Sequence, residues 1–152
     1  MSMHFTSRRR PIPERIAGAI SAVLGVLALS ACQDPGPEAA TWARVSQILD
    51  EHGCAQEGAC HSVERADANL VLELDRAYDQ LVSVACSNPG AEDSGLLRVV
   101  PGDVENSFLW TKVNLPGYSP LHGDRMPILG EGLSESELDI LERWIEAGAP
   151  RD

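Results

Sequence analysis

Apolar positions fall into an uncharged leader, an amphipathic stretch at each end of an acidic body, and shorter clusters between. In residues 41–51, Trp42, Val45, Ile48 and Leu49 recur at helical spacing, with Thr41 placed as an N-cap and Gly53 as a stop. Near the other end, Ser134-Glu135-Ser136-Glu137 has the form of a capping box. Leu138, Leu141, Trp144 and Ile145 share the face behind it, which predicts a helix ending near Gly148. Between these, Leu70, Leu72 and Leu74 alternate like a short extended segment, and Tyr78, Leu81 and Val82 suit a short helix after Asp75. Residues 86–95 read as a loop, residues 96–100 as a brief extended run closed by Pro101-Gly102, and Asp103 is placed to cap a helix reaching Val113. Residues 115–132 hold seven Gly and Pro, which excludes regular structure there. The pattern predicts a mainly α domain with long irregular loops. Loops of that length in a small domain commonly carry function or wrap around something.

The leader changes the picture of where this domain works. Arg8, Arg9 and Arg10 precede fourteen uncharged residues, 16–29. That run is shorter than the roughly 20 apolar residues a membrane span needs, and it has the flanks of a secretory signal. It ends in Leu29-Ser30-Ala31-Cys32, the form of a bacterial lipobox. The expectation is a cleaved lipoprotein signal peptide at 1–31, a lipidated tether at 32–40 carrying acyl chains on Cys32, and a domain at 41–150. Export by the general secretory route fits the arginine run better than a twin-arginine signal. An ordinary signal peptide in which Cys32 stands by chance is the plainer alternative. Either way the domain is expected outside the cytoplasm, and with the lipid it is anchored on the periplasmic or cell-surface side of a bacterial membrane.

Charge then narrows the partners. The formal charge is −11, and from Cys32 onward 8 basic residues face 22 acidic ones. A body this acidic argues against nucleic acid and against anionic lipid bound through a basic face, and favours a partner with a basic docking face. Aromatic residues make up only 5% of the chain, so the core is aliphatic unless something else fills it.

The chemistry sits in the cysteines. With Cys32 assigned to the anchor, Cys54, Cys60 and Cys86 remain, an odd set for an exported domain. Two cysteines followed at once by a histidine, as in Cys54…Cys60-His61, can form thioethers to the two vinyl groups of haem while the histidine ligates iron. The usual gap of two residues is five here; Ala55, Gly58 and Ala59 are small enough for the longer loop to bulge. A sixth iron ligand is offered by Met126, 65 residues after His61 in the breaker-rich loop, with His122 as its rival. Arg125 is a candidate contact for a haem propionate. Two other readings use the same residues: a Cys54–Cys60 disulfide with His61 merely adjacent, and a zinc site from Cys54, Cys60, His61 and Cys86. Cys86 has no role in the haem reading. Trp42, Phe108, Trp110 and Trp144 are expected in the core, His52 on the surface, and Glu135, Glu137 and Glu142 on a solvated helix face.

These motifs together resemble the small c-type cytochrome-like domains of exported myxobacterial and planctomycete proteins. The matching stretches are the first helix running into Cys60-His61-Ser62, then Ala77-Tyr78-Asp79-Gln80-Leu81-Val82, then Val100-Pro101-Gly102-Asp103-Val104-Glu105-Asn106-Ser107-Phe108-Leu109. Gly123-Asp124-Arg125-Met126-Pro127 follows, and Leu133-Ser134-Glu135 leads to Trp144-Ile145-Glu146-Ala147-Gly148-Ala149. The resemblance covers about residues 42–150. It implies a class I cytochrome c-like helical fold with the terminal helices crossing beside haem c. It implies Cys54 and Cys60 as attachment sites, His61 as proximal ligand and Met126 as distal ligand. Iron ligated on both faces favours single-electron transfer to a redox partner over catalysis, and nothing in the chain has the form of a catalytic triad, phosphate loop or paired-carboxylate site. Two alternatives stand beside it: a haem-free, disulfide-stabilised surface module, and a haem sensor or peroxidase whose Met126 dissociates.

Overall fold

The computed structural model describes residues 38–152 apart from Leu74 and Ser94. The signal peptide, Cys32 and most of the tether lie outside the described residues. The described part is mainly α, with five helices and no strand. These are α1 Trp42–Glu51, α2 Ala77–Leu81, α3 Pro89–Glu92, α4 Phe108–Asn114 and α5 Glu135–Glu146, with a 3-10 turn at Asp67–Asn69. No helix among the described residues is long and apolar enough to cross a membrane.

The terminal helices form where the apolar period and the caps place them. The Thr41 hydroxyl accepts the Arg44 N–H at the start of α1, which buries Trp42, Val45, Ile48 and Leu49. At α5 the Ser134 hydroxyl accepts the Glu137 N–H at 3.3 Å, and the Glu137 carboxylate accepts the Ser134 N–H at 2.7 Å. Two otherwise orphaned amides are thereby satisfied. Glu137 also lies 3.1 Å from His52 Nε2 at the C-terminal end of α1, so it leaves the solvated face expected for it. At the other end Trp42 and Trp144 stack at an angle of 37°, with ring centroids 5.5 Å apart. The two helices therefore run in opposite senses. Tyr78 of α2 closes this aromatic group edge-on to Trp42, and its hydroxyl donates to the Ala149 carbonyl at 2.8 Å. Each large apolar side chain buried at this junction contributes about 1.5–3 kcal/mol.

The middle of the chain departs from expectation in two places. Asp103 caps a turn rather than a helix: its carboxylate accepts the Asn106 N–H and side-chain amide. The helix begins only at Phe108, because the Phe108 and Leu109 N–H groups bond the Leu97 and Arg98 carbonyls instead of carbonyls four residues back. Within the loop expected over residues 86–95, Pro89–Glu92 winds into a single helical turn. The run at 96–100 is extended, but it meets 82–85 only through isolated bridges, Val82 with Val99 and Ala85 with Leu97. Residues 115–132 form neither helix nor strand, as the density of Gly and Pro requires.

Candidate functional site

Three of the five helices contribute to one concave side of the domain. A cavity of about 840 Å³, its open mouth counted, opens there between α1, α2, α4 and the two long loops. Leu49, Leu72, Leu81, Phe108 and Val113 make its wall almost wholly apolar. Set into that wall are Cys54, His61 and Met126, together with Cys86, Arg98 and Lys112.

His61 is held from both sides. Its carbonyl accepts the Leu72 N–H at 2.8 Å, and its ring Nδ1 lies 3.1 Å from the Asp67 carbonyl. A carbonyl can only accept, so Nδ1 carries the proton and Nε2 carries the free lone pair, which is the tautomer a metal-ligating imidazole needs. Burial holds its pKa below the ordinary histidine value, against the pull of the backbone carbonyls around it. The ring therefore stays neutral, and a neutral ring is the form that can donate to a metal.

Cys54 lies in the wall, and the half-buried Cys60 is near enough for its charge to bear on it. Burial first, and then Cys60, pushes the Cys54 thiol up to about 11. Cys54, Cys60 and Cys86 are free thiols. Thiolate is the reactive form, and an ordinary cysteine ionises near 8.5. With the thiols free, iodoacetamide at pH 8 is expected to modify Cys54 on the order of 100-fold more slowly than an unperturbed cysteine. The rate should climb as pH rises through 11, as read by peptide mass spectrometry. Labelling as fast as that of a model thiol would show that Cys54 is not sequestered.

Met126 reaches the wall from the irregular loop because its N–H is bonded to the Lys112 carbonyl of α4 at 2.8 Å. His122, the rival ligand, packs edge-on against Phe108 with ring centroids 5.7 Å apart and is not among the residues lining the cavity. Arg125 also lies away from it. Its guanidinium rests against Gly132, and it lines a separate pocket with Tyr118, Asp124 and Ile128. Among the described residues, no three His, Cys, Asp or Glu side chains gather closely enough to hold a metal ion between them, as the zinc reading would require.

Sequence reasoning missed Arg98. Only 8% exposed, it lines the cavity and donates to the Gln80 carbonyl at 2.9 Å, the Asn69 carbonyl at 3.1 Å, the Ala68 carbonyl at 3.2 Å and the Ser87 hydroxyl at 3.3 Å. No carboxylate among the described residues pairs with it. Burial lowers its pKa without bringing it near neutrality, so the cavity wall carries an uncompensated positive charge. The only sequence signal was a lone arginine in an apolar run, Leu96-Leu97-Arg98-Val99-Val100. In comparisons with known proteins, no family model, no curated protein and no solved structure matches the chain.

Proposed function

We propose that this is an exported, lipid-anchored protein with a c-type cytochrome-like domain that holds one haem c and passes single electrons. The observation that carries the reading is that Cys54, His61 and Met126, spread over more than 70 positions of sequence, line one apolar cavity, with Cys60 beside Cys54. The donor set fits the group. The Cys54 thiol, a histidine whose free nitrogen is Nε2 and a thioether line the same cavity, Cys60 adjoins His61 in sequence without lining it, and a buried arginine offers counter-charge to propionates.

Haem held there would supply a one-electron iron couple. The chain's own residues do the rest. His61, locked by the Asp67 carbonyl, presents one imidazole nitrogen, and the Asp67 bond raises its basicity. Met126 offers the soft ligand that favours the reduced state. His61 and Met126 would between them hold the iron on both faces, which would favour electron carriage over oxygen or peroxide chemistry. Leu72, Leu81, Phe108 and Val113 give the cavity a low-polarity wall. The acidic surface steers the protein toward a redox partner with a basic docking face, most strongly at low salt, and away from nucleic acid. Placement on the outer side of a membrane rests on the lipobox ending at Cys32.

Produced with a cytochrome c maturation system, the protein is expected to be red and to keep one haem per chain through denaturation and acidic organic extraction. His61→Ala should abolish stable low-spin haem. Met126→Ala should remove the far-red sulfur-to-iron band, which His122→Ala should keep. A colourless product carrying a Cys54–Cys60 disulfide, seen by mass spectrometry, would overturn the reading in favour of the haem-free module.

A further inference from the structure

Met126 belongs to a segment with no helix or strand of its own, so something must hold its thioether in the cavity wall. Three hydrogen bonds reach this segment from Lys112 of α4. Lying in the last turn of α4, Lys112 has a carbonyl without a helical partner, and that carbonyl takes the Met126 N–H at 2.8 Å. Its side chain turns the same way: Nζ donates to the His122 carbonyl at 3.0 Å and to the Asp124 carbonyl. The turn it grips is already closed by reciprocal Ser119 and Gly123 backbone bonds at 2.8 and 2.7 Å. Gly123 lies beneath the ammonium, which a side chain there would approach to 3.7 Å. One residue thus clamps the loop just before Met126 through its side chain and Met126 itself through its backbone.

We propose that Lys112 is the positioning residue that keeps the Met126 thioether presented to the cavity, and thereby sets how firmly the second axial position is closed. This rests on the reading of Met126 as the distal ligand. The ammonium is the part that matters for control, because it can be removed while the backbone bond stays. Without it, the 119–124 turn loses two charge-assisted bonds. The Met126 thioether then swings out of the wall more often.

The test uses the full mature chain with Lys112→Met, the milder Lys112→Gln, and Lys112→Arg as the conservative rescue. Met126 is the sole native methionine after residue 3, and tryptic cleavage after Arg125 parts it from the methionine that Lys112→Met introduces, so its sulfoxide is read alone by mass spectrometry. Under a dilute chloramine oxidant, Lys112→Met and Lys112→Gln should oxidise Met126 about tenfold faster than wild type, the effect expected from losing a charge-assisted bond. Lys112→Arg should stay near wild type. Unchanged far-UV circular dichroism shows that the fold is intact, and Lys112→Gln carries the test if Lys112→Met does not fold. In protein matured with haem, the same variants should bind imidazole about tenfold more tightly and weaken the far-red sulfur-to-iron band. Wild-type oxidation rates in a folded Lys112→Gln protein would overturn the proposal. Failure to take up haem would instead overturn the cytochrome reading and leave the oxidation result to decide the role of Lys112.

Discussion

Trp144→Ala is expected to lower the thermal midpoint of this domain by about 15 °C or more, at a cost of about 3–5 kcal/mol. Trp144 is fully buried, and it joins three parts of the chain. Its ring lies 5.5 Å from Trp42 of α1 and 6.5 Å from Tyr78 of α2, and its Nε1–H donates to the Pro150 carbonyl at 3.0 Å. Truncation removes the largest side chain from the junction where α1 meets α5 and leaves a cavity bounded by two rigid helices that cannot close over it. It also leaves a carbonyl without its donor. Against the roughly 5–15 kcal/mol that holds a domain of this size, such a loss is a large share. Trp110, which is only half-buried, is the control: Trp110→Ala should cost clearly less. Thermal and urea unfolding followed by circular dichroism would decide. Equal losses for the two variants would mean that the α1–α5 junction is not the centre of stability.

That junction was legible in the sequence because every determinant of it is local. Thr41 and Ser134 cap from within their own helices, and the apolar period of each helix names the face it buries. The candidate site was legible for a different reason. Few side chains suit haem, so His61 beside Cys60 and a thioether among glycines and prolines stood out before their convergence on one cavity was known. What stayed hidden depends on tertiary placement. Asp103 has the composition of a helix cap and serves as a turn cap, because the Phe108 and Leu109 N–H groups are drawn to the Leu97 and Arg98 carbonyls of a distant run. Arg125 was nominated by its place beside Met126, yet its side chain turns toward Gly132. Neighbours along an irregular loop need not share a face, since no helical or strand period fixes where each one points.

Arg98→Met tests the residue the sequence concealed, and its expected effect is comparable to that at Trp144. Arg98 is recognised by backbone carbonyls from 68, 69 and 80, and carbonyls leave no trace in composition. These acceptors belong to the segment after His61 and to α2, so one planar fork ties the His61 side of the cavity to the run that precedes α4. Removing it breaks four hydrogen bonds from a charged donor, at about 1.5–3 kcal/mol for each that water does not replace; Ala68 and Asn69 are exposed, so the loss falls mainly on the partners at Gln80 and Ser87. Methionine keeps the apolar stem and isolates the loss of the fork. Arg98→Lys should restore little, because a point-like ammonium cannot span acceptors arranged for a guanidinium. Arg125→Met should change stability by only about 0.5 kcal/mol, as expected where no such network is broken. In protein matured with haem, Arg98→Met should also lower the midpoint potential, because a positive charge in the cavity wall disfavours the oxidised iron. Arg125→Met should leave the potential near wild type. Urea unfolding and potentiometry on the same three variants separate the two roles. A stability loss without a potential shift would make Arg98 a clamp on the loops alone, and equal behaviour of Arg98→Met and Arg125→Met in both measurements would remove Arg98 from the site.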